Sequence, residues 1–164
     1  MKAGAPPKSK ARPESDQSLK LARVTSANAA LVTALQLHAH QIDSMDSIAA
    51  SLREASRCTL ACPRAIMRGT RAIGFLMYDL PDASSPSVVR IYRFMIDAQE
   101  QGKGYGRSAL RLAISEIADL PDVRRVEICY MPDNEPARTL YQSAGFIEDG
   151  SDEDGEMIAH LDLP

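Results

Sequence analysis

Between an apolar run, Ile91-Tyr-Arg-Phe-Met-Ile-Asp97, and a helical pattern opening near Ser108, the chain reads Gln101-Gly-Lys-Gly-Tyr-Gly-Arg107. Glycines at 102, 104 and 106 leave this turn almost free of Cβ atoms and able to reach φ > 0. Successive amide N–H groups can then converge on one point at the positive end of a helix, which is how a phosphate or pyrophosphate is held. Lys103 and Arg107 either add positive charge beside that point or form a solvated helix start. The expectation is a phosphorylated cofactor bound at the turn, with chemistry done beside it.

Other reactive side chains are sparse. Cys58 and Cys62 are four apart, Cys129 is remote, and His38, His40 and His160 complete no ligand set, so free thiols and no metal are expected. A net charge of −3 argues against nucleic acid as the main partner, because phosphate binding needs a basic face. No apolar run approaches the ~18 residues of a membrane span, and no signal-like segment opens the chain. A cytoplasmic protein without a membrane partner is the default expectation.

The elements that must position the turn can be read in order. Residues 1–18, with three prolines and almost no large apolar residue, read as a flexible tail ahead of one domain over 19–164. Leu19–Val24 reads as a strand, and Ala27–Gln41 has helical spacing through Ala30, Leu31, Ala34, Leu35 and His38. Ser44 is expected to open a second helix through Ile48 and Leu52. Pro63 confines the next strand to Ala65–Arg68. Strands over Arg71–Tyr78 and Val88–Ile96 then lead into the glycine turn.

The helix after the turn presents Ala109, Leu112, Ala113 and Ile117 on one face. Arg125–Met131 is a strand, and Pro136 suits the first position of a short helix carrying Leu140, Tyr141 and Ala144. Gly145 is placed to end that helix, and Phe146–Asp149 with Glu156–Leu163 form a closing hairpin. The order β-α-α-β-β-β-α-β-α-β-β predicts an α/β fold: a mixed, mostly antiparallel twisted sheet of about seven strands with about four helices. It lacks the regular alternation of a dinucleotide-binding fold, and Gly102-x-Gly104-x-Gly106 is not G-x-G-x-x-G.

Gln101-Gly-Lys-Gly-Tyr-Gly106 resembles the Q/R-x-x-G-x-G/A signature of the GNAT acetyltransferase superfamily, placed after the fourth strand as that signature is. Asn134-Glu-Pro-Ala137 followed by Leu140-Tyr-Gln-Ser-Ala-Gly-Phe146 resembles the superfamily's second motif, N-x-x-A-x-x-L-Y-x-x-x-G-F. Arg93–Asp97, the glycine turn and the Gly150 to Glu156 ending resemble the diamine/spermidine acetyltransferase-like group.

The resemblance implies acetyl-CoA as cosubstrate and transfer of its acetyl group to a primary amine of a small cationic molecule, a polyamine or diamine. It implies cofactor binding by Gln101, Gly102, Lys103, Gly104, Gly106 and Arg107 at the pyrophosphate, by Met95 and Ile96 along the pantetheine arm, and by Asn134. It gives Tyr141 the role of proton donor to the departing sulfur, although by spacing alone Tyr141 equally reads as a core aromatic and Asn134 as a helix cap. Glu127, Asp79, Asp82 and Tyr92 all stay open as the proton acceptor. The six carboxylates of Glu148–Glu156, with Asp43, Asp46 and Glu54, either attract a polycation or are solvated surface. Another amine acceptor (amino acid, aminoglycoside or protein N-terminus) and a non-catalytic acyl-CoA-binding module remain alternatives. Related enzymes are often dimers, which leaves a homodimer open.

Overall fold

The computed structural model describes residues 19–164, so the expected tail over 1–18 lies outside the described residues. The elements are β1 (Leu19–Arg23), α1 (Ala29–Thr33), a 3-10 turn (Ala39–Ser44), α2 (Ile48–Ala55), β2 (Ala61–Arg68), β3 (Arg71–Asp79), β4 (Val88–Ile96), α3 (Tyr105–Ala118), β5 (Arg125–Tyr130), α4 (Glu135–Ser143), β6 (Ile147–Ser151) and β7 (Met157–Asp162). The seven strands form one sheet ordered β1-β2-β3-β4-β5-β7-β6, in which β4 and β5 pair in parallel and every other neighbouring pair is antiparallel. This is the mixed, mostly antiparallel sheet with four helices that the element order predicts.

Strand alternation builds a core on each face of the sheet. Phe75 and Met77 of β3 join Val32, Ile48 and Met95 under α1 and α2. Leu76 and Tyr78 point the other way and pack with Ala109, Leu110, Ala113 and Ile117 of α3. Leu110 therefore takes the fully buried place expected of Leu112, which is only partly covered. Arg64, Tyr78 and Glu116 tie the sheet to α3 as well, with Arg64 Nε and the Tyr78 hydroxyl each donating to Glu116 Oε1 at 2.6 Å.

Three expectations are corrected. Pro63 lies inside β2, not before it: its carbonyl accepts from Val24 N–H at 3.4 Å, just past the last β1–β2 pair, Arg23↔Arg64. The donor that proline lacks thus falls where the ladder has already ended. The second helix opens at Ser47, whose hydroxyl accepts from Ala50 N–H at 3.2 Å, and not at Ser44.

The first helix stops at Thr33, well short of Gln41. Its continuation is outcompeted by bonds to the segment after β4. Gln36 N–H donates to Asp97 Oδ2 at 3.0 Å, and the Gln36 carbonyl accepts from Ala98 N–H at 2.8 Å. Residues 34–45 are consequently held as an irregular wall beside the end of β4. Among the described residues, no helix is long and apolar enough to cross a membrane.

Candidate active site

The site begins with a break in the sheet. The parallel ladder between β4 and β5 ends at Ile91↔Ile128, although both strands continue. On the β3 side, Met77 pairs with Arg93 and Tyr78 with Ile91, so Tyr92 is an inserted bulge residue at the same level. A bulge bends its strand and increases its twist. Here it turns β4 away from β5, which stays paired with β7 as far as Tyr130↔Met157.

The gap widens into a cleft of about 1080 Å³, lined by the end of β4, the start of α3, β5, α4, the 3-10 wall and the β6–β7 turn. Asp97 N–H donates to Ile73 O at 2.8 Å, so alternation turns the Ile96 N–H and carbonyl away from β3, toward the open side.

Of the residues singled out in the sequence, Met95, Ile96, Gln101, Gly102, Gly106, Asn134 and Tyr141 line this cleft. Lys103, Gly104 and Arg107 lie outside its lining, on the outer side of the turn. Gly102 and Gly104 have φ of +74° and +83°, the left-handed region that the glycine spacing requires.

The amides of the turn divide into two sets. Gln101 N–H donates back to Asp97 O at 3.1 Å and is occupied. From Gly102 to Arg107, no amide N–H has an acceptor among the described residues, until Ser108 N–H bonds Gly104 O at 3.3 Å. A row of unpaired donors at the positive end of the 14-residue α3 fits a pyrophosphate. Lys103 is not a free cation, because its Nζ lies 3.0 Å from Glu100, a 4% exposed carboxylate also held by Arg71 at 3.1 Å.

Gln101 behaves differently from its glycine neighbours. Its Nε2 donates to the Ile96 carbonyl at 3.0 Å and to Gln41 Oε1 at 2.9 Å. Its side chain is therefore occupied in holding the end of β4.

Asn134 caps α4, its Oδ1 accepting from Ala137 N–H at 3.2 Å, which leaves the amide NH₂ available to the cleft. Glu135 takes the first helical position and Pro136 the second, one place later than expected. Tyr141 is 6% exposed and stacks at an angle between Tyr130 and Phe146, with ring centroids 5.2 and 5.9 Å away. Its hydroxyl has no partner among the described residues and is not sealed from solvent, so it opens onto the cleft. Burial, and then the neighbouring Tyr130 and Cys129, push the Tyr141 phenol well above the ordinary tyrosine value. It stays protonated throughout the neutral range, as a proton donor must.

The acid-base residues left open separate by position. Glu127 pairs with its cross-strand neighbour Arg90 at 2.8 Å and is not in the cleft lining. Asp82 accepts from Ser84 and Ser85 within its own turn. Tyr92 does line the cleft, and its hydroxyl donates to Asp79 Oδ1 at 3.1 Å.

The acidic segments divide too. Glu148 is held by Tyr130 and Arg138, and Asp149 by His160. Asp46 and Glu54 face Arg93, at 2.5 and 3.7 Å. Asp43, Asp152 and Glu156 line the cleft with no ion pair among the described residues.

Cys129 was missed as a site residue, although its ligand atom and those of Asp152 and Glu156 lie within 4.8 Å of one another in the cleft wall. The signal was present: Val126, Ile128 and Tyr130 alternate inward, so Cys129 shares the opposite face with Glu127. Burial raises the Cys129 thiol, with the Arg90 cation opposing, so it is not an activated nucleophile.

Comparison with known proteins agrees with this fold. The sequence model of the acetyltransferase (GNAT) family matches residues 27–146. The chain is 30% identical over 151 residues to the spermine/spermidine N(1)-acetyltransferase of Bacillus subtilis (strain 168), covering 89% of this chain and 99% of that protein. An acetyltransferase from Thermus thermophilus superposes with a TM-score of 0.74 at 22% identity, over 89% of this chain and 97% of its own. The aminoglycoside acetyltransferase AAC(6')-Ib, in complex with coenzyme A and kanamycin, gives 0.73 at 20% identity, over 88% and 95%. The chain belongs to the acetyltransferase (GNAT) family.

Proposed function

We propose that residues 19–164 form one catalytic domain that transfers the acetyl group of acetyl-CoA to a primary amine of a small aliphatic polycation of the spermidine type. The observation that carries this reading is the single cleft with two unlike ends. At one end is the turn with unpaired amides from Gly102 to Arg107, reaching the cleft through Gly102 and Gly106; at the other are Asp43, Asp152 and Glu156, carboxylates without ion pairs among the described residues. A phosphorylated donor suits the first end and a polycation the second. The likeness to the Bacillus subtilis spermine/spermidine N(1)-acetyltransferase over nearly its whole length supports the same acceptor class.

When bound, acetyl-CoA supplies a thioester whose sulfur is the leaving group. Residue roles then follow from position. Amides 102–107 hold the pyrophosphate, and the open edge of β4 offers strand-like hydrogen bonds to the pantetheine arm. The Ile96 N–H, aimed away from β3, donates to the thioester carbonyl oxygen as negative charge develops there. The Asn134 side-chain NH₂ holds the arm from the α4 side. Tyr141 would donate its phenolic proton to the departing sulfur and take back the proton that the attacking amine releases as it becomes an amide, so the hydroxyl ends the cycle protonated. Carboxylates at the acceptor end hold the protonated nitrogens that do not react.

The test is product analysis by mass spectrometry after incubation with acetyl-CoA and a panel of spermidine, spermine, amino acids, aminoglycosides and a peptide N-terminus. Acetylated spermidine or spermine as the preferred product is expected. Turnover confined to another class overturns the polyamine reading.

A further inference from the structure

Two halves of the cleft come from distant parts of the chain, and one reciprocal side-chain pair joins them. Gln41, on the 3-10 wall beside Asp43, donates its Nε2 to Gln101 Oε1 at 3.2 Å. Gln101 Nε2 returns a bond to Gln41 Oε1 at 2.9 Å, and the same nitrogen reaches the Ile96 carbonyl at 3.0 Å. Gln41 Oε1 also accepts from His38 N–H at 3.2 Å, at the start of the 3-10 turn. One continuous path therefore runs from His38 through Gln41 and Gln101 to the backbone of β4.

We infer that Gln41 is a positioning residue that couples the amine end of the cleft to the acetyl-CoA end through Gln101. The inference rests on the acetyl-CoA and amine reading given above. Gln41 lines the cleft and acts through Gln101. It acts by fixing the wall that carries Ile42 and Asp43 relative to the glycine turn and to Ile96.

The pair is part-buried and amide-to-amide, so each Gln loses both a donor and an acceptor when the other is truncated. The rest of the tether, from Gln36 to Asp97 and Ala98, lies at the root of the wall, five residues before Gln41. That root keeps the wall attached when the amide pair is lost. What is lost is its register against the turn. A ligand that orders one end then orders the other, and linkage requires the effect to be equal in both directions.

The test measures binding, not turnover alone. The dissociation constant of CoA is determined with and without saturating spermidine, and that of spermidine with and without CoA, by calorimetry on the full chain. Wild-type protein is expected to bind each ligand at least about 5-fold more tightly in the presence of the other, by the same factor both ways. Gln41→Leu is expected to abolish that factor and raise the KM for spermidine, while the binary CoA constant stays within about two-fold. Gln41→Glu retains the oxygen that accepts from His38 N–H and Gln101 Nε2 but sets a second acceptor against Gln101 Oε1, so it is expected to keep part of the coupling. A Leu variant that keeps the synergy, or a Glu variant that loses it as fully as Leu does, overturns the inference. So does wild-type protein that binds both ligands independently, a result that leaves the acetyl-CoA reading standing. Wild-type protein that binds no CoA removes that reading, and the coupling with it.

Discussion

Ile91 and Ile128 are the last paired residues of the parallel β4–β5 ladder, and the cleft opens immediately beyond them. Everything assigned to the acetyl donor depends on that parting: the Tyr92 bulge turns β4 aside, Ile96 presents its backbone to the gap, and α3 starts at the far end.

Tyr141→Phe isolates the phenolic proton. The ring stays wedged between Tyr130 and Phe146, and the lost hydroxyl had no protein partner among the described residues, so folding should be unaffected. The kcat is expected to fall by about 100-fold or more, with CoA affinity nearly unchanged. Full turnover in the variant removes Tyr141 from catalysis.

Gly74→Ala probes how closely β3 must approach β4 behind the site. An added Cβ would lie 2.5 Å from the Met95 carbonyl oxygen and 2.8 Å from Ile66 Cδ1. Backbone cannot yield cheaply, so a loss of about 1–3 kcal/mol in denaturant unfolding is expected, along with weaker CoA binding as β4 shifts. Wild-type stability in this variant contradicts the packing described at Met95.

Stability should fall in alkali, for a reason the tyrosines give. Burial raises Tyr78, Tyr92 and Tyr141 in the folded chain, helped at Tyr78 by Glu116 and at Tyr92 by Asp79. Folded values above unfolded ones mean the stabilisation is complete below the unfolded tyrosine value near pH 10. Above it, the unfolded chain releases protons that the folded chain keeps, and stability declines. Urea midpoints are expected to show no tyrosine-linked loss between about pH 7 and 9 and to drop steadily above about pH 10. An unchanged midpoint at about pH 11 contradicts the burial of these phenols.

Glu156→Gln tests the amine end. Glu156 lines the cleft without a cation among the described residues, so its charge is available to a polyamine. The KM for spermidine is expected to rise about 5-fold at low salt with little change in kcat, and the difference should shrink as ionic strength increases. A salt-independent change would point to packing instead of charge.

Most of the fold was legible because the signals are local. Continuous apolar runs marked β3 and β4, and the glycine turn announced the start of α3. At the other end of α4, the Phe146 N–H bond to Tyr141 O at 3.1 Å and Gly145 at φ +96° form the terminator its position predicts. What was not legible depends on partners far away in sequence. The early end of α1 is set by Asp97, sixty-one residues beyond Gln36. Pro63 is tolerated because β1 runs out beside it. At the site, Lys103, expected beside the phosphates, pairs with Glu100, and Glu127, one of the open proton acceptors, pairs with Arg90. Residue type and spacing locate such groups without revealing which of them are already paired.

The cleft is expected to bring a bound acetyl thioester to an amine. Release of free CoA thiol, followed with acetyl-CoA and spermidine as the only substrates, tests it most directly. Thiol release is expected to depend on both substrates, to saturate in each, and to match acetylspermidine formed mole for mole. Protein that binds CoA yet releases no thiol with spermidine or any other amine would contradict it, leaving a binding module and no transferase.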